Sequence, residues 1–214
     1  LDNIDNLTAA QITEFEEGKK KHDEEVANDI QGHWQNWWKV YGLGEKGTVE
    51  GAIITNYKIG EFDETLPYYY GMDFGYKDPF VCVKVAFDKS KMHLYVEEIV
   101  YKSLLSPKEI IKILEKRIPN KNSLIVADSA DPTQIRGIKN EGFNIIGLGK
   151  EKIVIGLRNL QNWTIVITKE SHNIIKETQN YKWLDKKGEV PIDDYNHGYD
   201  SIRYTEKYYR YKNS

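Results

Sequence analysis

The sequence predicts an α/β fold on one mixed sheet: a three-strand antiparallel meander followed by parallel strands, flanked by helices, with a helical or linking segment before it. Two observations carry this. Between residues 68 and 101 the apolar runs Tyr68–Phe74, Phe80–Phe87 and His93–Tyr101 are separated only by Gly75-Tyr76-Lys77-Asp78-Pro79 and Asp88-Lys89-Ser90-Lys91. Turns that short join antiparallel strands. Beyond residue 102 the pattern changes to helices alternating with short strands, the arrangement that produces parallel pairing.

Residues 8 to 30 read as a helix. Thr8 with Gln11 three positions on forms a capping box, Leu7 and Ile12 stand at the ends of a hydrophobic staple, and Gly18 weakens the middle. Trp34, Trp37 and Trp38 follow, close enough together to anchor a packed joint. The stretch Gly42-Leu43-Gly44-Glu45-Lys46-Gly47-Thr48 invites comparison with a phosphate-binding loop, which needs Gly-x-x-x-x-Gly-Lys-Ser/Thr between a strand and a helix. Here Lys46 precedes Gly47 and a strand pattern follows, so the stretch reads as a hairpin turn. After the meander, Ser106 is the N-cap and Pro107 the first residue of a helix reaching about Arg117. Ser123–Ala127 is a short buried strand, Asp131-Pro132 opens a helix to about Asn140, and Phe143–Leu148 is the next strand. Helices are expected at Glu151–Asn159, Ser171–Tyr181 and about Asn196 to Tyr209, the last with Asp193 and Asp194 at its start.

A chain of 214 residues with 40% hydrophobic content hides roughly 70% of its unfolded surface on folding, enough for one main domain with an appendage. Cys82 is the sole cysteine, which excludes disulfides within the chain and cysteine-ligated zinc. No run approaches the about 18 apolar residues that a membrane helix needs, and the polar start Leu1-Asp2-Asn3-Ile4-Asp5 is no signal peptide, so a cytosolic setting without membrane contact is expected. The first residue is not Met, which fits a piece of a longer protein and equally a processed chain. The net charge of −3 does not exclude a nucleic-acid partner, because binding follows local fields and carboxylates gathered for cations lower the total.

Three acids stand where the chemistry of such carboxylates is expected. Hydrolysis of a phosphodiester by two hard cations about 3.5–4 Å apart requires acids from separate parts of the chain to converge. Asp73 ends the first meander strand in Gly71-Met72-Asp73-Phe74-Gly75, among apolar and glycine residues that offer its charge no local partner. Asp128 follows Leu124-Ile125-Val126-Ala127 at the carboxyl end of a buried strand, where sites in α/β sheets tend to form. Asp200 lies on the closing helix, with His197 three residues before it on the same face. Each has a plainer reading: a salt bridge for Asp73, a helix cap for Asp128, a solvated position for Asp200. Their fall on two strands and the closing helix favours a shared role. Asp131 reads as a helix N-cap and Asp78 as a turn residue.

The stretches Gly71-Met72-Asp73-Phe74-Gly75-Tyr76-Lys77-Asp78-Pro79, Ile125-Val126-Ala127-Asp128-Ser129-Ala130-Asp131-Pro132 and Asn196-His197-Gly198-Tyr199-Asp200-Ser201-Ile202-Arg203-Tyr204 resemble the three nuclease motifs of phage terminase large subunits. The likeness runs from about residue 40 to the end and implies a ribonuclease-H-like fold. It further implies that Asp73, Asp128 and Asp200 hold two Mg2+ or Mn2+ ions, with His197 as a histidine that some members carry beside the last aspartate. Glu177 matches a frequent position of the family. The resemblance implies a nuclease that cuts viral concatemeric DNA in the host cytoplasm during packaging, joined to an ATPase domain and working with a portal protein and a terminase small subunit. On this reading residues 1–60 are the tail of that ATPase or its linker, and residues 61–214 the nuclease domain.

Lys186 and Lys187, in the turn Asp185-Lys186-Lys187-Gly188, and Arg203 and Lys207 on the closing helix are the basic residues expected to meet phosphate of double-stranded DNA. In-line attack of water on phosphorus is the expected reaction, since no Ser or Cys has the paired base that a covalent route requires. Another ribonuclease-H-like nuclease, such as a junction resolvase, and a non-catalytic DNA-gripping domain of a packaging motor are the alternatives. Because the chain shows no usable ATPase loop, the purified chain should not turn over ATP; a magnesium-dependent phosphate-release assay checks this, and measurable turnover would overturn the assignment of residues 1–60.

Overall fold

The computed structural model describes residues 9–27, 51–149, 151–184 and 190–213. The chain divides into two compact units, Leu1–Ala52 and Ile53–Ser214. In the first, α1 spans Ala9–Ala27, inside the stretch expected to be helical, and Lys19 donates to Asp23 one turn on at 2.7 Å. Thr8, Trp34, Trp37, Trp38 and the glycine-rich turn lie outside the described residues. The second unit begins before the boundary expected at residue 60. Ile53 and Ile54 are buried in its core, and the Ile53 N–H donates to the Tyr181 carbonyl at 3.0 Å.

The strands of the second unit are β1 (Tyr57–Ile59), β2 (Tyr68–Asp73), β3 (Phe80–Asp88), β4 (His93–Lys102), β5 (Ile125–Asp128), β6 (Ile145–Leu148) and β7 (Thr164–Ile167). They form a single seven-stranded sheet in the order β1-β7-β4-β3-β2-β5-β6. The expected meander β2-β3-β4 is antiparallel, and every other pairing in the sheet is parallel. Two strands extend it beyond the sequence reading. Thr164–Ile167 is an unbroken β-branched run that pairs with β4, and Tyr57–Ile59 pairs in turn with it.

Five helices flank this sheet among the described residues: α2 (Pro107–Arg117), α3 (Pro132–Asn140), α4 (Ile153–Leu160), α5 (His172–Asn180) and α6 (His197–Lys212). Local chemistry sets their starts. Ser106 accepts from the Glu109 N–H while Glu109 accepts from the Ser106 N–H, a complete capping box worth about 1 kcal/mol. Asp131 accepts from the Gln134 N–H, the N-cap role read from its place before Pro132. The closing helix starts later than Asp193 and Asp194 suggested. Tyr195 adopts φ 57°, a left-handed conformation that interrupts a right-handed helix, so α6 begins at His197 behind Asn196.

The core lies in two layers because β3, buried along its whole length, sends alternate side chains to opposite faces. Val81, Val83, Val85 and Phe87 pack with Leu157, Ile174 and Ile202 from α4, α5 and α6. Phe80 and Cys82 pack with Ile110, Leu114 and Ile138 from α2 and α3. The Cys82 thiol is buried, as expected.

Two contacts fix α6 on the sheet. At Gly71 of β2 a Cβ atom would stand 2.3 Å from the Ser201 carbonyl oxygen, so only a residue without a side chain admits the helix backbone this close. At its start, Glu177 of α5 accepts from the Gly198 N–H through both carboxylate oxygens (3.0 and 2.9 Å) and from the Tyr199 N–H at 3.2 Å. Tyr101 of β4 donates to the same carboxylate at 2.8 Å. Glu177 thereby satisfies N–H groups that a helix leaves open at its first turn and places a negative charge at the positive end of its dipole. Gly198 makes room for it, since a Cβ there would lie 2.6 Å from Glu177 Oε2.

Gly71→Ala should destabilise the fold by roughly 1–3 kcal/mol through overpacking against backbone that cannot rotate away; urea denaturation measures it, and an unchanged midpoint would mean that α6 is not held there. Burial pushes the Glu177 carboxyl up to about 7, against the opposing pull of the Gly198 N–H and Tyr101. A carboxyl that binds its proton more readily folded than unfolded stabilises the fold at low pH and loses that contribution as pH rises from the ordinary 4.5 to about 7. The parent should therefore lose stability across this window while Glu177→Gln shows a flatter profile, measured as denaturation midpoints between about pH 5 and about pH 8.

Candidate metal centre

Two strand ends and one helix start meet at the carboxyl edge of the sheet. Asp73 ends β2 and Asp128 ends β5. These strands run parallel with Met72 opposite Ala127, so the two aspartates stand next to each other one residue further on. Tyr70, Met72, Ile125 and Ala127 belong to the layer under α2 and α3. Alternation along each strand turns Asp73 and Asp128 to the opposite face, where α6 packs on β2 and β5. Asp200 comes from the first turn of that helix.

Each of the three has one carboxylate oxygen engaged by the protein. His197 Nδ1 lies 3.4 Å from Asp73 Oδ2. The Ala130 N–H donates to Asp128 Oδ1 at 3.1 Å. Arg203 donates to Asp200 Oδ1 through Nε at 3.1 Å and Nη2 at 2.7 Å. The other oxygens, Asp73 Oδ1, Asp128 Oδ2 and Asp200 Oδ2, lie outside these bonds.

The electrostatics record the same convergence. Burial pushes the Asp73 carboxyl above its usual range, and the charges of Asp200 and Asp128 push it further, while the contact with His197 draws it back. The hydrogen bond to Asp73 raises His197 in turn, against its partial burial. The Tyr204 phenol is held up by burial first and then by the charges of Asp200, Asp73 and Asp128. Sequence reasoning passed over Tyr204, although its spacing of four from Asp200 puts both on one helix face. It also left Glu177 without a role, because a cap supplied by another helix leaves no local pattern.

Of the residues expected to meet DNA, Lys186 and Lys187 lie outside the described residues. The arms of their hairpin are paired through Trp183 and Pro191. Lys207 is partly exposed and donates to the Gly149 carbonyl just past β6. Arg203 does not fit the expectation: its side chain is only 5% exposed and its guanidinium is engaged by Asp200. Its spacing of three from Asp200 on a helix favours this pair over a phosphate contact.

The donor set suits a hard divalent cation, with carboxylate oxygens on an electronegative edge and one imidazole beside them. Among the described residues no three such donors close into a ready-made cage. Magnesium sites of phosphoryl-transfer enzymes share that openness, using one or two carboxylates and leaving positions for water and substrate phosphate.

Comparison with known proteins gives a consistent picture. The family model for the terminase RNAseH-like domain matches residues 73–207, more than half of the chain and a span that contains all three aspartates. The PBSX phage terminase large subunit of Bacillus subtilis (strain 168) is 26% identical over 128 residues, which are 58% of this chain and 29% of that protein. The nuclease domain of the large terminase from the bacteriophage SPP1, solved with bound Mn, superposes with a TM-score of 0.63 at 27% identity, covering 72% of this chain and 97% of that one. The large terminase of a thermophilic bacteriophage, solved in complex with ADP, gives a TM-score of 0.63 at 20% identity, over 77% of this chain and 46% of that one, a likeness of fold. A mixed sheet with this strand order, acids at its carboxyl edge and a family match across them together show that the chain belongs to the ribonuclease-H-like nuclease domain family of terminase large subunits.

Proposed function

We propose that this chain is a divalent-metal-dependent DNA endonuclease, the part of a terminase large subunit that cuts concatemeric viral DNA during genome packaging in the host cytoplasm. What supports this reading is that Asp73 and Asp128 end neighbouring parallel strands and that the helix whose first turn carries Asp200 packs on the same two strands. The SPP1 nuclease domain, similar along nearly its whole length, was solved with bound Mn, which supports Mn2+ or Mg2+ as the cofactor, expected as two ions.

Bound there, such ions would stabilise charge developing on the phosphate oxygens and lower the pKa of water. The chain's own residues do the positioning. Asp73 and Asp128 are held by neighbouring strands, and Asp200 is carried in by a helix clamped to the same sheet, so the three come from elements that cannot shift independently. His197, in contact with Asp73 and partly exposed, orients that carboxylate and is the group beside the acids able to hold or release a proton near neutral pH. Tyr204 adds a hydroxyl donor that stays protonated beside the three charges, suited to a phosphate oxygen. Lys207, with Lys186 and Lys187, supplies the cationic contacts to double-stranded DNA.

The length of the relatives supports further partners. The match to the PBSX large subunit spans 29% of that protein, and the thermophilic phage large terminase, of which this chain covers 46%, was solved with ADP. These support an ATPase domain in the same full-length protein, with the segment before Ile53, shorter than the residues 1–60 read from the sequence, as its tail or linker. A portal protein and a terminase small subunit are the further partners proposed for packaging.

Aspartate-to-asparagine replacement tests the site, because it keeps the shape of the side chain and removes the charge that cations require. Each of Asp73→Asn, Asp128→Asn and Asp200→Asn should lower plasmid cutting by at least roughly a hundredfold, and a chelator should abolish cutting by the parent. A single variant that nicks at the parent rate would remove that residue from the site. DNA binding without any cutting by the parent, with or without divalent ions, would overturn the nuclease reading in favour of a gripping domain.

A further inference from the structure

Asp200 differs from the other two acids in how it reaches the site. Asp73 and Asp128 sit on strands fixed by neighbours on both sides, whereas Asp200 projects from a helix, where its side-chain torsions need a separate restraint. Arg203 supplies it. Both Nε and Nη2 donate to the same oxygen, Oδ1, at 3.1 and 2.7 Å, which directs the pair of donors to one side of the carboxylate and leaves Oδ2 outside the fork. Arg203 is 5% exposed, so this fork is held inside the fold and is not shared with solvent.

What holds Arg203 is a second helix. At Gly156 in α4, a Cβ atom would lie 2.9 Å from Arg203 Cδ and 3.1 Å from its Nη1. Glu151 Oε2 borders the same point at 3.1 Å, a buried oxygen without a hydrogen-bond partner among the described residues. Arg203 is therefore bordered by a glycine whose missing side chain leaves room for its Cδ and Nη1. A planar, rigid fork suits this task better than the single point charge of a lysine.

We propose that Arg203, seated against Gly156, is a positioning residue that orients Asp200 toward a divalent cation. This rests on the metal-dependent reading above. It assigns Gly156, 44 positions before Asp200 in the chain, to the same device.

The test is calorimetric titration of Mn2+ alone into the parent chain, Arg203→Lys and Gly156→Ala, without DNA, with metal-free melting temperatures recorded beside it. Arg203→Lys keeps the charge and removes the fork. Gly156→Ala changes no charge and intrinsically favours the helix, yet its methyl group must displace the guanidinium. Both should weaken Mn2+ binding by roughly ten- to a hundredfold, the usual effect of disturbing a group that orients a metal ligand. If Arg203→Lys does not fold, Gly156→Ala alone decides. A folded Gly156→Ala that binds Mn2+ as tightly as the parent overturns the inference, as does a folded Arg203→Lys that does so, whatever happens to their melting temperatures. A parent that binds no Mn2+ instead refutes the metal reading itself, and that failure is recognisable because it precedes any substitution.

Discussion

Where α6 crosses β2, the Ser201 carbonyl oxygen lies so near Gly71 that a methyl group added there would stand 2.3 Å away. A helix normally rests on a sheet through its side chains, with the two backbones kept apart by them. Here the separation collapses at one residue, two positions before Asp73. Because the helix and the strand touch directly, the first turn that carries Asp200 packs over the strand that ends in Asp73. Other features of the site share this helix: the contact of His197 with Asp73 and the cap that Glu177 sets on its first turn.

The charges at this edge form a graded arrangement. Asp200 has a permanently cationic partner in Arg203. Asp73 has only an imidazole, whose charge depends on pH, and Asp128 has a backbone N–H. Burial pushes the Asp73 carboxyl above its usual range, and the charges of Asp200 and Asp128 add to it. On the metal-dependent reading proposed above, such a site gives up stability to hold a local field that cations would neutralise. Glu177 is a separate case: its buried carboxylate is surrounded by N–H and O–H donors, so its burial serves the helix start and not the metal.

Much of this was legible in the sequence because the signals were local. Short turns between long apolar runs identify the meander, Ser106-Pro107 and Asp131-Pro132 mark helix starts, and an aspartate directly after four apolar residues marks a strand end at Asp128. The two outer strands were less legible. Thr164–Ile167 is four residues long with no alternation, and Tyr57–Ile59 is only three, so their identity as strands comes from partners distant in sequence. The same reason explains Arg203. A basic residue near the end of a motif reads as a phosphate contact until the fold shows it buried, and burial is decided by Gly156, on a different helix. Lys186 and Lys187 lie outside the described residues, between Trp183 and Pro191, which pair with each other.

The outermost strand has a mechanical meaning. Tyr57–Ile59 joins the sheet through three registered residues beside β7, and just ahead of it Ile53 is tied to the body by its N–H to Tyr181 and by Gln161 to its carbonyl. Tension entering from the preceding segment would load these few bonds first. β2, which carries Asp73, lies four places across the sheet, with β7, β4 and β3 between. Peeling of this edge strand would therefore begin with three strands between it and the one that carries Asp73.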